Sequence, residues 1–473
     1  MHADGPTAAI RIEPGADLTL VRGGRAVALV ATLILGVLSY QLNASMLTPA
    51  LPHMAAELGI DVGEVSQVSS LFFLAGAIGG IVLSRWSDYI GRRKALLIVL
   101  GILTIGTLLC IFAPNLTILL IGRALQGASS AAFQLAYIIL SESLSAKVFG
   151  VTLGIITAAN GGVGGVDGYI GGLLVENYGF RSIFVVILAV GIVAILCVML
   201  TVPKDGPVVT KGKMDWWGAA ALSVGLICIT YFVSQGGSAG WLAPITLVYL
   251  AGALAAFVIF WFVEKRRQSP LIAVHHLKSR HVWPVIATTV LTLSSVFAVI
   301  NFTVVVLSQT PEIGFGLDAA TAAALFLVPA ALIGVAAAPF SGWLASKVGW
   351  ILILRVGLAL SLAAVAVIAL FPQNMGLVIA AIVVLGVTYN GLVLTTINGL
   401  GVLLSPDDAP AALPGLNGAA FGIGAALGIG IVAPFVTQST LGGFSTALWI
   451  SAGIVVLALI TSLLIARRPG QKI

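Results

Sequence analysis

Ser84-Arg85-Trp86-Ser87-Asp88-Tyr89-Ile90-Gly91-Arg92-Arg93-Lys94 stands between two apolar runs, 65–84 and 94–113. Each run is about 20 residues long, enough for a helix to cross a hydrocarbon core of roughly 30 Å. The segment between them is a short, basic turn. Two helices that cross a bilayer and meet at a water-facing, positively charged loop account for all three features.

The same unit recurs along the chain. Apolar spans fall near 26–51, 65–84, 94–113, 117–141, 148–174, 181–202, 215–235, 243–263, 282–308, 319–344, 350–371, 375–403, 411–436 and 443–466. These continuous runs lack the alternation of barrel strands, and a helix satisfies its own backbone in lipid. Hydrophobic residues make up 59% and charged residues 8%, against about 25% charged in a soluble domain. The chain reads as an all-α polytopic membrane protein.

Of the 23 lysines and arginines, 20 lie in the tails or in loops after even-numbered spans, from Arg11, Arg22 and Arg25 to Arg467, Arg468 and Lys472. The opposite loops hold one, Arg181. Both termini are therefore expected in the cytoplasm. The Ala/Gly/Val-rich composition suggests a bacterial inner (plasma) membrane. The net charge of +6 follows from this topology and requires no nucleic-acid partner. Residues 1–25 lack signal-peptide architecture and read as a short cytoplasmic tail. Cys110, Cys197 and Cys228 lie inside spans, so neither a disulfide nor a metal site is expected, and the loop histidines His275, His276 and His281 read as solvated. The loops are too short for a catalytic or nucleotide-binding domain, and no P-loop is present. No enzymatic activity and no cofactor are expected.

Several stretches carry a family resemblance. Asp88-x-x-Gly91-Arg92-Arg93-Lys94 and Arg123-x-x-Gln126-Gly127 resemble the span 2–3 loop and span 4 motifs of the major facilitator superfamily. Met214-Asp215-Trp216-Trp217-Gly218, Gly240-Trp241, Glu264-Lys265-Arg266-Arg267 and Ala50-Leu51-Pro52 resemble its fourteen-span drug:proton antiporter family. The resemblance implies the major facilitator fold, two six-helix bundles plus two inserted helices. It divides the chain into a tail at 1–25, a first bundle at 26–202, inserted helices with flanking loops at 203–281, a second bundle at 282–466 and a tail at 467–473. It also implies that Asp88, Gly91, Arg92 and Arg93 form a cytoplasmic latch between bundles that stabilises the outward-open state, with Glu142 able to join. The chain departs from the family at Asn43, near where an acid is usual in span 1, and at Asp167-Gly168, where the span 5 motif reads Gly-Pro.

Among 17 acidic residues, Asp167 alone lies well inside a span, and an intramembrane carboxylate is a functional candidate by default. Helix rise puts Asp167 about 10 Å and Arg123 about 9 Å below the same membrane face. Asn43 and Gln126 share that layer. The four are expected to form a polar cluster in which Asp167 pairs with Arg123 and releases it on protonation; a permanent structural pair is the alternative. In the second half, Asn301, Asn398 and Asn417 are candidate substrate contacts, with Asn390 and Gln309 as further mid-span amides. Tyr40, with Phe133, offers an aromatic wall, although both could simply pack. Amides suit a neutral polar solute; each alone more often joins helices.

The expected function is secondary active transport by alternating access, with proton-coupled export of a small organic compound, the family's pattern, placed slightly ahead of the altered motifs' alternative. That alternative is proton-coupled or facilitated uptake of a neutral polar metabolite such as a nucleoside or sugar. A non-transporting membrane sensor is a third reading. The expected partners are a small-molecule substrate, H⁺ as coupling ion and membrane lipid, with the chain acting as a monomer.

Overall fold

The computed structural model describes residues 23–144, 152, 166–205, 214–267, 271, 279–404 and 412–466. The first bundle comprises α1 (Gly24–Ser45, continued by Thr48–Ala50 and Leu51–Leu58), α2 (Val62–Ile90), α3 (Arg92–Ile111), α4 (Leu116–Ala128 and Ala131–Ser143), α5 (166–178) and α6 (Arg181–Thr201). The inserted pair is α7 (Trp216–Ser238) and α8 (Pro244–Arg266). The second bundle holds α9 (Trp283–Gln309), α10 (Ala319–Val348), α11 (Trp350–Leu370), α12 (Met375–Leu403), α13 (Ala412–Val436) and α14 (Leu441–Leu463). Among the described residues, 13 helices are long and apolar enough to cross a membrane. The span expected at 148–174 is described chiefly through α5. Its glycines Gly161, Gly162, Gly164 and Gly165 lie outside the described residues, as do Lys147, His275 and His276.

Local chemistry starts these helices where the sequence turns. Asp61 and Glu64 form a reciprocal capping box at α2. Asn115, Asp215, Asp318, Asn374 and Thr440 each accept a backbone N–H in the first turn of α4, α7, α10, α12 and α14. Such caps satisfy donors that a helix leaves open.

Both described ends, at α1 and α14, lie on one face, called the terminal face below. On the opposite face the bundles close on each other. One apolar cluster there joins Met46, Leu47, Met54 and Phe72 of the first bundle to Phe302, Val306, Leu307 and Ala319 of the second. Gln309 Nε2 donates to Pro49 O across the same boundary at 3.2 Å, and Glu176 Oε1 accepts the Ala320 N–H at 2.7 Å. Gly172 permits this approach, since a Cβ there would stand 2.6 Å from Ala320 Cα. Towards the terminal face the first bundle has its own cluster, Leu29, Leu33, Val99, Leu135 and neighbours, with no member from the second. The described halves are thus sealed at one end.

The inserted pair stacks Tyr231 on Tyr249, ring centroids 5.4 Å apart. α7 also touches both bundles. Trp216 meets Trp86 of α2 at 5.8 Å, and the Gly237 Cβ position lies 2.9 Å from Pro434 Cγ of α13. Trp216, Trp217, Trp241 and Trp283 are exposed at helix ends, as interfacial anchors require. Trp350 departs from that expectation: it is half-buried against Gly399, whose missing side chain makes its seat.

Candidate transport site

Close helix contacts place Arg123. The Gly106 and Gly122 Cβ positions lie 2.6 Å and 2.7 Å from each other's carbonyl oxygens, pinning α3 to α4. The Gly127 Cβ position lies 2.1 Å from Phe72 O, pinning α4 to α2. Between these contacts Arg123 is 1% exposed. Its Nε donates to Val68 O at 3.0 Å, Nη1 to Gln126 Oε1 at 2.9 Å and Asn43 Oδ1 at 3.5 Å, and Nη2 to Asn43 O at 3.2 Å. The guanidinium carbon sits 4.2 Å above the Phe72 ring, which in turn stacks on Tyr40. Gln126 Nε2 is held by Thr107 Oγ1 at 2.9 Å, and Asn43 Nδ2 donates to Ser39 O at 2.8 Å. Asn43, Arg123 and Gln126 therefore share one network in which amides and carbonyls surround the charge.

Asp167 stands outside it. Its Oδ2 accepts from Ser45 Oγ, its Oδ1 is buried without a partner, and the residue is 2% exposed. The expected Arg123–Asp167 pair is not formed in this conformation. The two do sit at similar depth, because they bind α1 at Asn43 and Ser45, about 3 Å apart along the axis. Two residues are also roughly 200° around a helix, so α1 stands between the acid and the base. Gly171 fixes this arrangement: its Cβ position is 2.1 Å from Met46 O, locking α5 onto the far side of α1.

The second bundle's amides do not join that layer. Thr289 Oγ1 donates to Asn417 Oδ1, and Asn417 Nδ2 donates to Asn398 Oδ1 at 3.3 Å, linking α9, α13 and α12. All three lie five or six residues from helix ends at the terminal face, about 8–9 Å deep, whereas Arg123 lies near the opposite face. Asn301 is apart from both, bonded to Phe297 O of its own helix at 3.2 Å, and Asn390 reaches Ala330 O of α10 at 3.0 Å. π-helical turns at Leu293–Phe297, Val299–Thr303, Ala323–Leu327 and Gly386–Val393 flank these residues; such turns are frequent at functional sites.

From the Arg123 level towards the terminal face runs an aromatic layer. Tyr137, Phe133, Tyr40, Phe72 and Phe73 follow one another at centroid spacings of 5.1–6.2 Å, and the layer continues across the bundles to Phe297 at 5.1 Å and Phe421 at 6.2 Å. Beside it, Gln134 of α4 reaches the junction of α2 and α13, and its Oε1 is buried without a partner. An unmet acceptor of this kind costs about 1–3 kcal/mol. Sequence reading passed over Gln134 and Ser45 because it followed charge. The available signal was spacing, since Gln134 follows Arg123 by eleven residues, close to three turns of one helix face.

The expected latch residues are engaged within the first bundle and by Asp205 of the loop that follows it. Asp88 pairs with Arg85 and Arg92, Arg92 Nε reaches Glu142 Oε1 at 3.3 Å, and Arg93 Nη2 donates to Met199 O. Asp205 accepts the Arg93 and Lys94 N–H groups at 2.8 Å and 3.0 Å. Gly91 makes the turn at φ +96°, where a Cβ would lie 2.4 Å from Asp205 Cγ. Among the described residues, none of these partners belongs to the second bundle.

Two helical bundles sealed at one end, with polar and aromatic side chains at mid-membrane, define a membrane carrier. The model of the major facilitator superfamily matches residues 33–429, and the chain belongs to that superfamily of secondary transporters. The uridine/deoxyuridine transporter of Lactococcus lactis is 38% identical, over 95% of this chain and 96% of that protein. Multidrug resistance protein 3 of Bacillus subtilis is 24% identical over 56% of this chain and 52% of its own length. In structure, the peptide transporter POT in complex with sulfate covers 94% of this chain with a TM-score of 0.67 at 15% identity, matching 96% of its own length. The human organic anion transporter MFSD10 covers 93% with 0.63 at 15% identity, matching all of its length.

Proposed function

We propose that this protein takes up a pyrimidine nucleoside, or a neutral solute of similar size and polarity, by alternating access with a proton as companion. The observation that carries the reading is the full-length, 38% identity to a uridine/deoxyuridine transporter. It places uptake ahead of the export expected from the family pattern. The site agrees in kind: Arg123 is enclosed and hydrogen-bonded by amides and carbonyls, and the mid-membrane layer is aromatic with neutral polar groups beside it, which suits a flat, uncharged base. Asp167, with one free carboxyl oxygen, is the proposed proton carrier. The basic loops support a cytoplasmic terminal face; on that reading the sealed end faces outward and this conformation is closed to the outside. One chain contains both bundles, so the cycle needs no second copy.

The test is reconstitution in liposomes with labelled uridine under an imposed pH gradient. Uridine is expected to accumulate in the alkaline compartment, unlabelled pyrimidine nucleosides to compete, and cationic dyes to be ignored. Dye movement against the proton gradient with uridine untouched would restore export.

A further inference from the structure

We propose that Gln134 reads the edge of the nucleobase while the aromatic layer beside it holds the base's face. The inference rests on the nucleoside reading and names a specificity-determining residue within it. The Gln134 Nε2 lies 3.1 Å from the Cβ position of Gly80 in α2 and 3.4 Å from that of Gly418 in α13. Gly80 of the first bundle therefore leaves room that the carboxamide occupies, and Gly418 of the second borders it at ordinary contact distance. The side chain stands at the junction whose halves must part when the transporter changes its open side.

A glutamine that served helix packing would pair its oxygen. Here Ser130 Oγ, which borders the same Gly80 position, donates to Gly76 O instead, and Gln134 Oε1 stays buried and unpartnered. The acceptor is kept free by its surroundings. Next to it in sequence is Phe133, which meets Tyr40 and Tyr137 edge-on at 6.2 Å and 6.0 Å, and all three rings are partly exposed. Aromatic rings hold any base by stacking and discriminate little, so recognition falls to a hydrogen-bonding group at the base's rim. Uracil offers N3–H flanked by two carbonyl oxygens. A carboxamide offers an acceptor and a donor side by side, whichever end is assigned as nitrogen, and so matches N3–H and one neighbouring carbonyl together.

The experiment compares uptake of labelled uridine with competition by 3-methyluridine, which lacks the N3 proton. Wild type is expected to prefer uridine by about tenfold or more, since a site with a committed polar group rejects an analogue that leaves it unpaired. In Gln134→Leu the preference is expected to fall below about threefold while both nucleosides still bind. Gln134→Met repeats the measurement if the leucine variant fails to reach the membrane. An unchanged preference in a transporting variant overturns the assignment and leaves nucleoside uptake standing. Loss of every nucleoside at normal membrane amount also overturns it, by marking a packing role. Wild type that ignores uridine overturns the nucleoside reading and this assignment with it.

Discussion

Valine at Gly172 would bring a Cβ to 2.6 Å from Ala320 Cα and 2.7 Å from Ala320 N, where ordinary contact begins near 3.4 Å. α5 and α10 must then part by about 0.8 Å before the extra methyl groups are seated. Overpacking of this order costs about 1–3 kcal/mol. The cost falls only on the conformation in which α5 touches α10, so the balance should move by about 5–150-fold towards the one open on the opposite face. Spin labels at Asn177 and Glu312, exposed residues on either side of the seal, would report this as a longer distance population in liposomes. Gly171→Val is the control. Its Cβ would lie 2.1 Å from Met46 O within the first bundle, a contact that rigid-body motion of the bundles keeps. That variant should lose membrane yield in both conformations without lengthening the distance. A Gly172→Val protein at normal yield with the wild-type distance distribution would refute the reasoning.

Arg123→Leu should lower stability by about 1–3 kcal/mol, because it takes the charged donor from Gln126 Oε1, Val68 O and Asn43 O in the interior; a detergent melting curve reads this, and Arg123→Lys should recover only part. Asp167→Asn can keep the Ser45 bond and should reach the membrane normally, yet uridine should then equilibrate and no longer accumulate under a pH gradient, as tracer uptake would show. Glu176 has its carboxyl pushed up, chiefly by burial, against the lowering pull of the Ala320 N–H. It therefore favours the seal at pH below the usual Glu value, about 4.3, and that contribution is lost as pH rises through the raised value. Asp318 is pulled down, first by the Thr321 backbone bond; that bond caps α10, so its stabilising effect, present above the ordinary Asp value and lost as pH falls, belongs to the helix end and not to the seal. Glu176→Gln should flatten the loosening that the same spin labels follow as pH rises above the usual Glu value.

The architecture was legible because lipid imposes it. Twenty-residue apolar runs and one-sided lysines and arginines leave little else for a chain to do. Depth within the membrane was legible too, since rise per residue is constant, and it correctly grouped Asn43, Arg123 and Gln126. Direction around a helix was not. Whether Asp167 meets Arg123 or Ser45 depends on which side of α1 the second helix lies, and that is decided by the Gly171–Met46 approach, a contact between segments 125 residues apart. The sequence marks Asn398 and Asn417 as candidate substrate contacts, but their bonding with Thr289 and distance from the Arg123 layer emerge only when three helices are set side by side. Gln134 carries no charge and sits among aromatics, so nothing in its composition separated it from packing.

α7 runs along the junction of α2 and α13, touching Trp86 near one end and Pro434 near the other. It acts as a batten over that joint. A greasy guest dissolved in the surrounding leaflet finds no side door there and would have to pass through water first. For a carrier of hydrophobic drugs that would be a handicap; for a carrier of a hydrated sugar-bearing base it costs nothing, and it keeps lipid tails out of the passage on every stroke.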